Sequence, residues 1–218
     1  LRVKAVLFDL DGTLVDTAPD LGLALNMQRE RHGLPSLPLE VIRPHASHGS
    51  RGLLGIGFGL QPEDAKFASM REEYLQLYDT VFLRQPRLFD GIMEVLQSLE
   101  HHRVAWGIVT NKPRRFTVPL MDKLGLAGRA ASIVSGDDCT RAKPYPDTLL
   151  LASRQMGIAP QDCVYVGDAR RDIEAGHAAG MKTVVSRYGY LDVGDSPEEW
   201  GAQGMIDTPL DLLRLLSE

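Results

Sequence analysis

The sequence predicts an α/β fold: a parallel sheet core with helices on both faces plus a small all-helical cap inserted after the first strand. Three observations carry this expectation. From Pro86 onward, short apolar runs alternate with stretches of helical periodicity, the pattern of successive β and α units. Near the start, Val3 to Phe8 is a β-branched and aromatic run that fits a strand buried on both faces. Between them, from Leu21 to Arg84, no strand-like run occurs. The 218 residues, 44% hydrophobic and 24% charged, suffice for one core with a smaller insertion.

The first strand runs into Asp9-Leu10-Asp11-Gly12-Thr13. Open α/β sheets place ligands in the crevice at the carboxyl ends of their strands, and residues two apart on extended chain point the same way. Asp9 and Asp11 are therefore expected to reach one spot if extended geometry persists through Leu10. An Asp-Gly turn alone would explain Asp11 and leave Asp9 without a reason. Helical spacing follows over Pro19 to Arg31, with Asp20 early and Arg29 and Arg31 late to suit the helix dipole. A short helical piece spans Leu39 to Ile42. The polar, cationic stretch Arg43 to Arg51 comes next, then the glycine-laden apolar stretch Gly52 to Leu60, then a long helix over Glu63 to Phe82. After Pro86, helices are expected over Gly91 to Glu100, Phe116 to Leu124, Thr148 to Met156, Ile173 to Ala179 and Leu210 to Leu216. Strands are expected over Val104 to Val109, Ile133 to Val134, Cys163 to Val166, Thr183 to Val185 and Met205 to Ile206. Residues 1–16 joined to 86–218 would form the core, and residues 17–85 the cap.

A net charge of −5 argues against a nucleic-acid partner, which needs a basic surface to displace counterions. Cys139 and Cys163 have no metal-ligand spacing and sit beside apolar runs, as small structural hydrophobes do. Charged, Gly and Pro residues interrupt every apolar segment before it could cross a bilayer, so no membrane partner and a cytoplasmic location are expected.

Each later strand end carries polar groups. Val104 to Val109 leads into Thr110-Asn111-Lys112-Pro113; Lys143 precedes prolines that open a helix; Cys163 to Val166 leads into Gly167-Asp168, with Asp172 one helical turn on. Taken singly, these are helix caps and a surface lysine as readily as site residues. Together they supply four carboxylates, a lysine, a threonine and an amide along one sheet edge. If Asp9, Asp11 and Asp168 converge, their repulsion demands a proton or a cation, and an all-oxygen set suits Mg²⁺ rather than zinc or copper.

These motifs, in this order, resemble the haloacid dehalogenase-like phosphohydrolases: Asp9 to Thr13 is similar to their first motif, Thr110-Asn111 to the second, Lys143-Pro144 to the third, and Gly167-Asp168 through Asp172 to the fourth. The resemblance covers the whole chain. It implies a Rossmann-like core with the family's smaller helical cap, as in phosphoglycolate phosphatases, and a Mg²⁺-dependent phosphatase acting through an aspartyl-phosphate. It implies Asp9 as nucleophile, Asp11 as general acid and base, and Thr110, the Asn111 backbone N–H and Lys143 as the phosphate grip. Asp9, Asp11 through its backbone carbonyl and Asp168 would hold the metal, with Asp172 in support. Trp106 to Pro113, Arg187 to Tyr190 and Trp200 to Ala202 are similar to the N-acetylmuramic acid 6-phosphate phosphatases of bacterial cell-wall recycling. The expected partner is thus a small phosphorylated metabolite, a sugar phosphate first, with phosphoglycolate, a phosphomutase and a non-catalytic sensor as successive alternatives. Asp11 disfavours dehalogenation, because the dehalogenases of the family lack that second aspartate. His45, His48, Ser50 and Arg51 are the candidate substrate contacts of the cap. Lys112, Arg114, Arg115, Arg170 and Arg171 are placed to steer an anion, or are solvated surface.

Overall fold

The computed structural model describes residues 3–217. The chain runs through β1 (Ala5–Phe8), β2 (Val15–Asp16), helices α1 (Ala18–Arg31), α2 (Leu39–Ile42), α3 (Gly49–Phe58) and α4 (Phe67–Asp79), then β3 (Arg87–Leu88). An alternating series follows: α5 (Ile92–His101), β4 (Ala105–Val109), α6 (Arg114–Lys123), β5 (Ser132–Val134), α7 (Asp147–Met156), β6 (Cys163–Gly167), α8 (Arg170–Ala178), β7 (Lys182–Ser186), β8 (Gly204–Ile206) and α9 (Asp211–Ser217). Six strands form one sheet in the order β5-β4-β1-β6-β7-β8, every pairing parallel. Among the described residues no helix is long and apolar enough to cross a membrane.

β1 sits between β4 and β6, and all four of its residues are buried. Its side chains alternate between the two faces: Val6 and Phe8 join one apolar cluster, Ala5 and Leu7 the other. From β1 the chain moves outward through β4 to β5, then returns to β6 on the opposite flank. Loops diverge at such a reversal, and a crevice opens at the carboxyl ends of β1 and its neighbours.

The helices between β2 and β3 pack on one another, with α1 against α3 and α4. Sequence periodicity did not mark α3, because four glycines interrupt it. Packing overrides the intrinsic penalty of glycine in a helix, about 1 kcal/mol each. A Cβ on Gly57 would lie 2.6 Å from Leu25, so its absence lets α3 approach α1. On α4, Tyr78 packs 5.0 Å from Phe116 of α6, and Phe82, just beyond the end of α4, lies 5.1 Å from the same ring. One apolar cluster therefore runs from these helices into the sheet-covering layer.

Two local expectations change. α4 begins at Phe67 rather than Glu63, because the Asp64 carboxylate accepts the Gln61 N–H at 2.7 Å and closes a turn ahead of it. Val15–Asp16 and Arg87–Leu88 pair as a two-residue antiparallel ribbon where the chain enters and leaves the helical segment.

Candidate active site

Asp9 follows β1 directly, and its N–H extends the sheet by bonding Val166 O at 2.8 Å. The ladder stops there. The Leu10 N–H turns onto the Asp9 carboxylate at 2.7 Å, and Thr13, Leu14 and Val15 N–H groups all point to Leu10 O. Gly12, at φ +84°, carries the chain past Asp168 so closely that a Cβ would sit 2.2 Å from its Oδ2.

This early turn separates the two aspartates that extended chain would have aimed at one point. The acids that converge are Asp9, Asp168 and Asp172, all buried, each offering an oxygen within 4.8 Å of the others. Asp11 faces elsewhere: its Oδ1 accepts from Lys112 Nζ at 2.9 Å and Thr17 Oγ1 at 2.5 Å. Lys112 in turn lies 4.8 Å from the centre of the Tyr78 ring. Expected as a steering charge, Lys112 is instead a nearly enclosed partner of Asp11.

Lys143 lies at the heart of the acids. Its Nζ is 2.9 Å from Asp9 Oδ1 and 2.7 Å from Asp172 Oδ1, and it also donates to Tyr165 OH at 2.7 Å. The Asn111 side chain fixes the backbone of this lysine, accepting its N–H and donating to its carbonyl, both at 2.9 Å. That is a role for the Asn111 amide beyond the backbone contact expected of it. Thr110 is buried beside it, its Oγ1 accepting the Lys112 N–H at 3.1 Å. Asp172, in the first turn of α8, accepts the Ala169 N–H at 2.9 Å. Asp168 accepts from Tyr190 N–H at 2.9 Å and from Ser47 Oγ at 2.9 and 3.0 Å.

Burial, the largest influence, pushes Asp9 up from 3.8 to about 6, against the pull of Lys143 and with a further push from Asp172. Asp168 rises to about 7, from burial first and then from the charges of Asp9 and Asp172. For Asp172 burial is outweighed by Lys143 and Arg171, which hold its carboxyl below the ordinary range. Three buried carboxylates against one ammonium leave an excess of negative charge. A hard cation with oxygen ligands fits that donor set, whereas no Cys or His is among the clustered groups.

Above the acids lies a cavity of about 960 Å³, which Asp9, Asp11, Thr110, Asn111, Lys143 and Asp168 share with residues of the helical segment. His45, His48, Ser50 and Arg51 all line it. Ser47, unmarked by any pattern in its polar stretch, reaches the acids instead. Arg71 of α4, which no motif singled out, also lines the cavity. Arg171 Nη2 donates to Ser47 O at 2.5 Å and Nη1 lies 3.2 Å from His48 Nδ1. Burial, then Arg171, lowers the His48 pKa, which suits a neutral ring accepting that proton. Arg170 pairs with Glu174 and Arg114 with Asp138, while Arg115 stacks on Phe116; neither Arg114 nor Arg115 lines the cavity.

The sequence pattern of the haloacid dehalogenase-like hydrolases matches residues 6–186. The chain belongs to that family. It is 43% identical to N-acetylmuramic acid 6-phosphate phosphatase of Pseudomonas aeruginosa over 99% of its own length and 96% of that protein. It is 41% identical to a phosphoglycolate phosphatase of Xanthomonas campestris, covering 96% of this chain and 94% of the relative. The crystal structure of a hydrolase from Pseudomonas syringae superposes with a TM-score of 0.77 at 27% identity, covering 98% of each chain. Asp9, Thr110, Lys143 and Asp168, whose sequence motifs resemble those of the family, all line the cavity.

Proposed function

We propose that the chain is a Mg²⁺-dependent phosphomonoesterase whose substrate is N-acetylmuramic acid 6-phosphate, serving bacterial cell-wall recycling. The carrying observation for the chemistry is Asp9, the buried acid at the end of the central strand, facing the cavity with Lys143 on its Oδ1. For the substrate, support comes from relatives of that name, 43% and 40% identical over nearly the whole chain, and from a cavity of about 960 Å³, roomy enough for a sugar. Residues 1–16 with 86–218 are taken as the core and 17–85 as the cap, positions 1, 2 and 218 lying outside the described residues. The β2–β3 ribbon at the root of the helical segment supports that division. Cys139 and Cys163 are free thiols, which supports a cytoplasmic setting.

In the proposed reaction an Asp9 oxygen attacks phosphorus in line, forming an aspartyl-phosphate as the bond to the sugar oxygen breaks. Asp11 gives its proton to that departing oxygen, then takes one from the water that hydrolyses the acyl phosphate, restoring both aspartates. Lys112 and Thr17 hold Asp11 through Oδ1, which leaves Oδ2 for the proton. Lys143, Thr110 and the Asn111 N–H hold the equatorial oxygens. Bound by Asp9, Asp168 and the Asp11 carbonyl, Mg²⁺ would supply the positive charge that lets a phosphate dianion approach the carboxylates. Asp172 keeps Lys143 in place at 2.7 Å.

Phosphate release with Mg²⁺ from N-acetylmuramic acid 6-phosphate, 2-phosphoglycolate, glucose 6-phosphate and β-glucose 1-phosphate tests the proposal. The muramic compound should lead in kcat/KM by ~100-fold or more, about 2.7 kcal/mol of discrimination. A lead for 2-phosphoglycolate would overturn the substrate while leaving the chemistry. Release from none would overturn both.

A further inference from the structure

Among the described residues, the lysines and arginines lining the cavity find a carboxylate or a hydrogen-bond acceptor for their terminal nitrogens, with two exceptions on the helical wall. Lys143 is paired with Asp9 and Asp172, Lys112 with Asp11, and Arg170 with Glu174, while Arg171 donates to Ser47 and His48. Arg51 on α3 and Arg71 on α4 have no carboxylate within 4.0 Å among the described residues. Arg71 uses only its Nε, which donates to Ser50 Oγ at 3.2 Å, and Arg51 makes no side-chain hydrogen bond there. That serine, adjacent to Arg51 in the chain, draws the second arginine to the same wall. The acids that line the cavity are Asp9, Asp11 and Asp168 at the floor and Asp195, whose charge acts on His48. The wall of Arg51 and Arg71 thus presents ten guanidinium N–H donors, one of them in use, to the same cavity that Asp9, Lys143 and Asp168 line.

We propose that Arg51 and Arg71 form a second-anion subsite that receives a carboxylate on the alcohol half of the substrate. This rests on the phosphomonoesterase reading and makes the substrate class phosphate monoesters of hydroxy acids. A guanidinium presents parallel N–H groups that match a carboxylate in two hydrogen bonds, so a substrate bearing that group gains where one lacking it leaves two cations unanswered. Phosphate would be drawn to the floor by Lys143 and the metal, and the carboxylate to the wall, which fixes which end of the molecule meets Asp9. Both arginines are exposed, so replacing them leaves the apolar core intact.

N-acetylmuramic acid 6-phosphate and N-acetylglucosamine 6-phosphate differ by the lactyl carboxylate, and the ratio of their kcat/KM values reads the subsite. A ratio of about 100 is expected in the native protein, falling about tenfold in Arg51→Gln or Arg71→Gln and toward 1 in the double variant. A native ratio near 1 with both compounds hydrolysed, or a ratio the variants leave unmoved, overturns the subsite. If neither sugar is hydrolysed and 2-phosphoglycolate is, the muramic reading has failed on its own. The subsite is then read in the same variants from 2-phosphoglycolate against 2-hydroxyethyl phosphate, where an unmoved ratio overturns it. Hydrolysis of none of the four overturns both.

Discussion

At the sheet edge the charges are buried: Lys143 Nζ lies 2.9 Å from Asp9 and 2.7 Å from Asp172, and all three residues are buried. On the helical segment that lines the same cavity, Arg51 and Arg71 are exposed, with no carboxylate within 4.0 Å among the described residues. The two surfaces serve different ends. Buried, mutually fixed charges keep a constellation in one geometry, which phosphoryl transfer needs because positioning does most of its work. Exposed charges without partners cost little to maintain and remain available to a ligand. On this reading chemistry is fixed at the edge and selectivity is set at the wall, so the two should come apart under substitution.

Asp9→Asn should show the sharpest break, lowering kcat by at least ~10⁴-fold on every substrate, carboxylate or not, since removal of a nucleophile is close to total. Measured turnover that fell for one substrate class alone would place Asp9 outside the chemistry. Lys143→Met leaves Asp9 and Asp172 without their cation in a buried setting and should cost about 3–5 kcal/mol in a denaturant melt, with activity lost alongside. At the wall, Arg71→Gln should leave that melt within about 0.5 kcal/mol of native. Equal destabilisation by the two changes would erase the contrast between edge and wall.

The acids also give the edge a pH signature. Asp9 and Asp168 titrate near 6 and near 7 in the folded protein against 3.8 for the free side chain. The folded state therefore binds more protons than the unfolded state between those limits, and stability is lost as pH rises through that window. Asp172, lowered, works in the opposite sense, its contribution fading as pH falls below the ordinary carboxylate range. Mg²⁺ relieves the first effect and competes with protons for the same oxygens. Its addition should raise Tm more at pH 8 than at pH 5, by about 5–10 °C at the higher pH for ligand near 100 times Kd. Equal increments at both pH values would mean the ion binds away from these carboxylates.

A smaller effect lies where edge and wall are joined. Tyr190 OH accepts the Thr17 and Ala18 N–H groups at 2.8 and 3.0 Å and donates to Asp16 at 2.8 Å, while Arg43 grips the same aspartate. Tyr190→Phe strands those groups in a buried place and should cost about 1–3 kcal/mol in a thermal melt, without abolishing turnover.

Much of the edge was legible in the sequence because polar residues closing apolar runs mark strand ends, and Asp9, Thr110 and Asp168 each stand just beyond one, while Lys143 was marked by the prolines that open α7. What escaped reading depends on contacts between distant segments. The β2–β3 ribbon has two residues per strand, too few to show a period. α3 hides behind four glycines, of which Gly57 serves the close approach to Leu25. The parting of Asp9 from Asp11 follows from a turn at Leu10 that no spacing rule foretells. Ser47 on Asp168 and Arg71 at the wall acquire meaning only once the helices are folded over the sheet.

The most direct measurement is capture of the intermediate. The protein would be mixed with Mg²⁺ and N-acetylmuramic acid 6-phosphate, quenched in acid within milliseconds, reduced with borohydride and mapped by peptide mass. Modification at Asp9 is expected, with Asp11 unlabelled. Turnover without a captured adduct under conditions that trap acyl phosphates, or an adduct on any other side chain, would contradict the assignment of Asp9 as nucleophile.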